Sequence, residues 1–129
     1  MKKLFTLLLS LLSFCGIAQE RASDDALEKE IVAKAHNTPA YKKAVIDVNA
    51  VRKDIELASK GVVKNDYVVK DYNARLGKPL GKKQTLRDVK VRIDNDGDTY
   101  IKYILSREVV RIATEEAKIA TEEAKKRGN

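Results

Sequence analysis

The sequence predicts a small α+β fold: three to four helices, one β-hairpin and a projecting C-terminal helix. Three observations lead there. Apolar residues recur at three- and four-residue spacing from Leu27 to Ala58. Between Leu86 and Leu105 the period shortens to two, around the turn-forming run Asp94-Asn95-Asp96-Gly97-Asp98. An alanine- and glutamate-rich repeat then continues almost to the end of the chain.

The chain opens on an address. Lys2 and Lys3 precede an apolar run from Leu4 to Phe14, and Gly16-Ile17-Ala18 then supplies small residues before Gln19. This order predicts a signal peptide over residues 1–18, cleaved after Ala18. The run is too short for a membrane span. Cys15 allows a second reading, a bacterial lipoprotein anchored through that cysteine, although bulky Phe14 stands where such sites want a small residue. Either way the expected location is outside the cytoplasm, periplasmic or secreted, and residues 19–129 form a single small domain. Both phenylalanines, the one cysteine and the one methionine fall within the first 18 residues. The remainder therefore has no disulfide and depends on Val, Ile and Leu for one modest core.

Ser23 is the expected cap of the first helix, with Asp24 and Asp25 suited to the positive end of its dipole. Leu27, Ile31 and Ala35 follow on one face. Asn37-Thr38-Pro39 ends this helix and starts the next, Thr38 as cap and Pro39 at the first position, where its missing N–H costs nothing. Tyr41, Ala44, Val48, Val51, Ile55 and Ala58 make the clearest stripe, and Gly61 is placed to stop it. The stripe is heptad-like and could pair two chains, but packing within its own domain is the favoured reading.

Residues 62–76 admit two readings. Val68, Tyr72 and Leu76 are spaced for a helix capped by Asp66 and stopped by Gly77 and Pro79; Val62-Val63 and Tyr67-Val68-Val69 could instead form a hairpin. The helix is preferred, with 77–81 as a linker. Val89, Val91 and Ile93 then alternate with Lys90 and Arg92, and Ile101, Tyr103 and Leu105 with Lys102 and Ile104, which predicts two strands joined at 94–98. Ser106 would cap the final helix, over 106–127, in which Ile112-Ala113-Thr114-Glu115-Glu116-Ala117-Lys118 is restated from Ile119.

The formal net charge of +7 is unevenly placed. Between Arg75 and Arg92 lie Arg75, Lys78, Lys82, Lys83, Arg87, Lys90 and Arg92, with Asp88 the single acid. Such a concentration suits an anionic partner. Lys82, Lys83, Arg87, Lys90 and Arg92 are the candidate contact residues, Lys90 and Arg92 sharing one face of the predicted strand. The segment lacks interleaved aromatics, which argues against nucleic acid. An anionic membrane surface, an anionic glycan or an acidic protein fits better.

Chemistry is poorly supplied. The one histidine, His36, ends the first helix and suits a capping role. No cysteine follows the signal region, a single histidine makes no zinc site, and Gly77 to Lys83 lacks the spacing of a phosphate-binding loop. Asp94, Asp96 and Asp98 resemble the start of an EF-hand, but Thr99 and Leu105 occupy positions that require Gly and Glu, so they are only weak calcium candidates. No cofactor and no catalytic residue is expected. The expected function is non-catalytic binding outside the cytoplasm through residues 75–92. Its rivals are a helix-mediated oligomer or adaptor and a weak calcium module.

Overall fold

The computed structural model describes residues 18–128, the side chains from residue 25 onward. Four helices account for them: α1 (Ala18–His36), α2 (Pro39–Ser59), α3 (Asn65–Leu80) and α4 (Leu86–Gly128). The described residues contain no strand, so the α+β expectation and its hairpin are overturned in favour of an all-helical fold. The expected signal sequence, with Cys15, falls outside the described residues. α1 already begins at Ala18, ahead of the expected cap at Ser23.

The physical origin of the hairpin error lies in spacing. Val89 and Ile93 are four residues apart, as are Ile101 and Leu105, and a separation of four satisfies both an alternating strand and one helical turn. The residues between decide. A strand would bury Val91 beside Val89 and Ile93, yet Val91 is 52% exposed while Val89 and Ile93 are buried. Tyr103, between Ile101 and Leu105, is likewise exposed. Thr85 starts α4 by accepting the Asp88 amide on Oγ1 at 3.1 Å. Residues 94–98 then lie inside the helix, and so does Ser106.

Gly97 has a use other than a turn. A Cβ there would stand 3.0 Å from Arg52 Nη2 and 3.3 Å from Val48 Cγ1, so the missing side chain lets α4 pass close to α2. Arg52 then reaches Asp98 at 3.0 Å.

The chain divides into two compact units. Residues 39–104 form a three-helix unit in which Val48 and Val51 of α2, Val68, Tyr72 and Leu76 of α3, and Val89 and Ile93 of α4 make one buried cluster. The predicted stripe of α2 thus packs within its own unit. That helix ends as expected: Gly61 has φ +75°, its amide donates to the Ala58 carbonyl at 3.1 Å, and the Val62 amide donates to Leu57 at 2.9 Å. α3 bears out the helical reading over 65–76, but it starts after Lys64 with Asp66 inside its first turn instead of capping it, and it runs further, through Gly77 and Pro79 to Leu80. The turn falls instead on Gly81, at φ +86°.

The second unit combines 18–38 with 105–128. Ile31 and Ala35 of α1 and Leu105, Val109 and Ala113 of α4 are its buried apolar residues. Lys34 bonds Glu116 and lies 3.2 Å from Glu30, and these two carboxylates hold its ammonium above the usual lysine range. His36 caps as expected, Nδ1 donating to the Val32 carbonyl at 2.8 Å; Asn37 Nδ2 and Thr38 Oγ1 donate to Ala33 and Ala35. Side chains thus take up carbonyls of the last turn of α1. Beyond Ala117 every described residue of α4 is exposed.

Candidate anion-binding groove

The basic segment occupies the corner where α3 turns into α4. Lys78 lies in the last turn of α3, Lys82 and Lys83 in the connection, and Arg87 and Lys90 in the first turns of α4. Asn73 anchors that connection from α3. Its Nδ2 donates to the Lys83 carbonyl at 2.9 Å and its Oδ1 accepts the Lys83 amide at 3.0 Å.

Not all of the basic residues remain available. Arg75 is committed on two sides: Nε donates to both oxygens of Asp71 at 3.0 and 3.1 Å, and Nη1 to Asp47 Oδ1 at 2.9 Å. Arg92 Nη1 donates to Asp96 Oδ2 at 2.6 Å. By contrast Lys78, Lys82, Lys83, Arg87 and Lys90 have no carboxylate partner among the described residues.

Three of the five predicted contact residues converge. Lys83, Arg87 and Arg92 line a shallow hollow of about 260 Å³, together with Asp88, Val91, Asn95 and Asp96. Lys82 and Lys90 lie outside its lining. The expectation that Lys90 and Arg92 share a face is corrected, because residues two apart on a helix point about 200° away from each other. Beside this hollow is a second, of about 390 Å³, lined by Pro79, Leu80, Thr99, Tyr100 and Tyr103 and sharing Arg92 and Asp96 with the first. The Arg92–Asp96 pair therefore borders both.

Behind the pair lies Tyr72, fully buried, with a hydroxyl that has no hydrogen-bond partner among the described residues; Arg92 Nε is also buried without one among them. Burial holds the phenol above its ordinary range, the Arg92 charge opposing and the Asp96 charge reinforcing that shift. On the Arg75 side a second polar cluster is built from Asp47 and Asp54 of α2 and Asp71 and Arg75 of α3. Asp54 is buried, its Oδ2 has no hydrogen-bond partner among the described residues, and desolvation together with the facing Asp71 carboxylate pushes its carboxyl up to about 7, against the pull of Arg75. Lys43 supports Asp47 from outside at 2.5 Å.

The weak calcium candidates are spread along a helix. Asp96 holds Arg92 and Asp98 holds Arg52. No group of His, Cys, Asp or Glu among the described residues is arranged to hold a metal ion. None of the described helices is long and apolar enough to cross a membrane.

Sequence reasoning missed Asn73, Thr85 and the pairing of Tyr100 with Tyr103 at the second hollow, while Tyr72 falls on the apolar stripe of α3 as the spacing predicts. The four-residue steps Arg87, Val91 and Asn95 continue through Thr99 to Tyr103, and Tyr100 stands four after Asp96, a spacing that is informative when the segment is read as a helix. Asn73 carried no such signal, since its partner is a backbone ten residues away. Comparison of the chain with known protein families, curated proteins and solved structures finds no match.

Proposed function

We propose that this chain is an exported, non-catalytic binding protein that meets an anionic partner through the α3–α4 corner. One observation supports the reading: Lys78, Lys82, Lys83, Arg87 and Lys90 cluster at one connection without carboxylate partners among the described residues, whereas Arg75 and Arg92 are neutralised internally. Unpaired cations concentrated on a small surface raise the local anion concentration and steer association. Partly neutralised arginines of the same segment contribute mainly to its architecture.

The test is binding of the protein to anionic vesicles, neutral vesicles and a soluble polyanion over a salt series, beside a Lys82→Glu, Lys83→Glu, Arg87→Glu variant. The expected result is binding that weakens steeply with salt and is lost in the variant. Equal binding by both proteins overturns the assignment. A second reading, self-association, draws on the exposed end of α4, where Ile119 is 47% exposed beside Ala120. Light scattering over a concentration series tests it, and a strictly monomeric mass dismisses it.

A further inference from the structure

The basic corner is one end of a longer feature. Arg87, Val91, Asn95, Asp96, Tyr100 and Tyr103 step along one side of α4, and Arg87 to Tyr103 spans about 24 Å of helix axis. One end of this stripe is cationic and the other is aromatic and aliphatic. The hollow at the cationic end brings three cations, Lys83, Arg87 and Arg92, against two carboxylates, Asp88 and Asp96. Such a lining favours a single negative charge over a densely charged polyanion. The adjoining hollow presents the rings of Tyr100 and Tyr103 with Pro79 and Leu80, a surface suited to hydrocarbon.

From this juxtaposition the geometry points to a binding site for a single-chain, monoanionic amphiphile. The acidic head sits between Lys83 and Arg87, and the chain lies over Pro79, Leu80, Tyr100 and Tyr103. Arg92 spans the two parts. Only its Nη1 is engaged among the described residues, so the Arg92–Asp96 pair can offer a further donor to the head without losing its own bond. Asn73 supports the head site by fixing the Lys83 backbone. The inference rests on the proposed anion-binding corner and adds the chemical class of what is bound there.

Calorimetry with four monomeric probes tests it: decanoate, decyltrimethylammonium, acetate and decyl glucoside. Decanoate is expected to bind one site per chain, with the cationic and neutral decyl compounds at least about tenfold weaker for lack of a charge-assisted hydrogen bond, and acetate at least about tenfold weaker for lack of the buried chain. Lys83→Gln with Arg87→Gln should weaken decanoate about tenfold, and so should Tyr103→Gln, an exposed position where the change leaves the core intact. Nuclear Overhauser contacts between the decanoate chain and the rings of Tyr100 and Tyr103 give a readout independent of affinity.

Equal binding of decanoate and decyltrimethylammonium would mean unselective apolar uptake and overturn the proposal, as would acetate binding as well as decanoate. Decanoate binding unchanged by both sets of substitutions would place the ligand elsewhere and also overturn it. If decanoate does not bind while the polyanion still does, and only through Lys82, Lys83 and Arg87, the amphiphile site falls and the basic corner stands. Loss of both removes both.

Discussion

Asn73 and Lys83, ten residues apart, close a ring of two hydrogen bonds in which one carboxamide satisfies both the amide and the carbonyl of a single connection residue. The side chain does for the α3–α4 connection what a neighbouring strand would do in a sheet. The backbone behind the proposed head site is thereby held by α3, not by the connection alone.

Asn73→Ala should therefore cost about 1–3 kcal/mol, because two half-buried backbone groups lose their partner. Urea denaturation measures the loss. The same variant should lower decanoate affinity while leaving the far end of the unit unchanged, which amide hydrogen exchange will resolve. Asn73→Asp retains only the acceptor and is expected to fall between the two.

Asp54 makes stability depend on pH in an unusual direction. Its folded carboxyl is raised to about 7 by burial and by Asp71, while Arg75 opposes the shift; Asp47 and Lys43 complete the charged surroundings on α2. Between its ordinary value and about pH 7 the folded state binds the proton more tightly than the unfolded state. Unfolding then releases protons, so stability falls as pH rises through this window and levels off above it. Over the whole window the change is on the order of 4 kcal/mol. Asp54→Asn should flatten the profile and exceed the parent in stability at pH 8, because its carboxamide can face Asp71 without charge. Thermal melts from pH 5 to pH 8 decide; a parent whose melting temperature rises over that range contradicts the assignment.

Gly97 tests the close passage of α4 over α2. A methyl group there would press on Val48, which is fully buried, and on Arg52, which can swing away. Helix propensity favours alanine by about 1 kcal/mol, and the tight contact offsets this, so Gly97→Ala should be near neutral. Gly97→Leu has no room and should cost about 1–3 kcal/mol. Chemical denaturation of the pair separates a packing glycine from a turn glycine.

Tyr72→Phe should be neutral or stabilising by up to about 1 kcal/mol, since it keeps the ring and removes a hydroxyl buried without a partner. Tyr72→Ala should instead cost about 3–5 kcal/mol through the cavity it leaves in the cluster with Leu76 and Ile93. Equilibrium unfolding of both variants gives the two numbers.

These residues also show where sequence reasoning succeeded and where it failed. α2 was legible because its signals agree: a stripe at helical spacing, Thr38-Pro39 before it and Gly61 after it. α3 was legible in its body but not at its end, since Gly77 and Pro79 are breakers only where the backbone needs what they lack. Pro79 stands one residue from the end of the helix, so it forfeits a single bond to the Arg75 carbonyl. The first half of α4 misleads because four-residue steps suit two periods at once, and because Asp, Asn and Gly in a row favour a turn. The site was half legible. Charge density along the chain located the corner, but counting charges does not show which are neutralised. Asp71 and Arg75, like Arg92 and Asp96, are four residues apart, and that spacing was the available warning. Asp47 and Asp54, seven apart on the buried side of α2, were an unnoticed sign of the internal polar cluster.

The chain has no tryptophan, so its near-ultraviolet absorption belongs chiefly to its tyrosines. Tyr72 lies at the centre of the three-helix cluster with its phenol sealed from water. Its ionisation is therefore tied to opening of the core. In a spectrophotometric titration to high pH, this ring should contribute to the phenolate band only as the near-ultraviolet dichroism collapses. The protein thus carries a built-in optical reporter of its own unfolding, at the residue where α3 meets its neighbours.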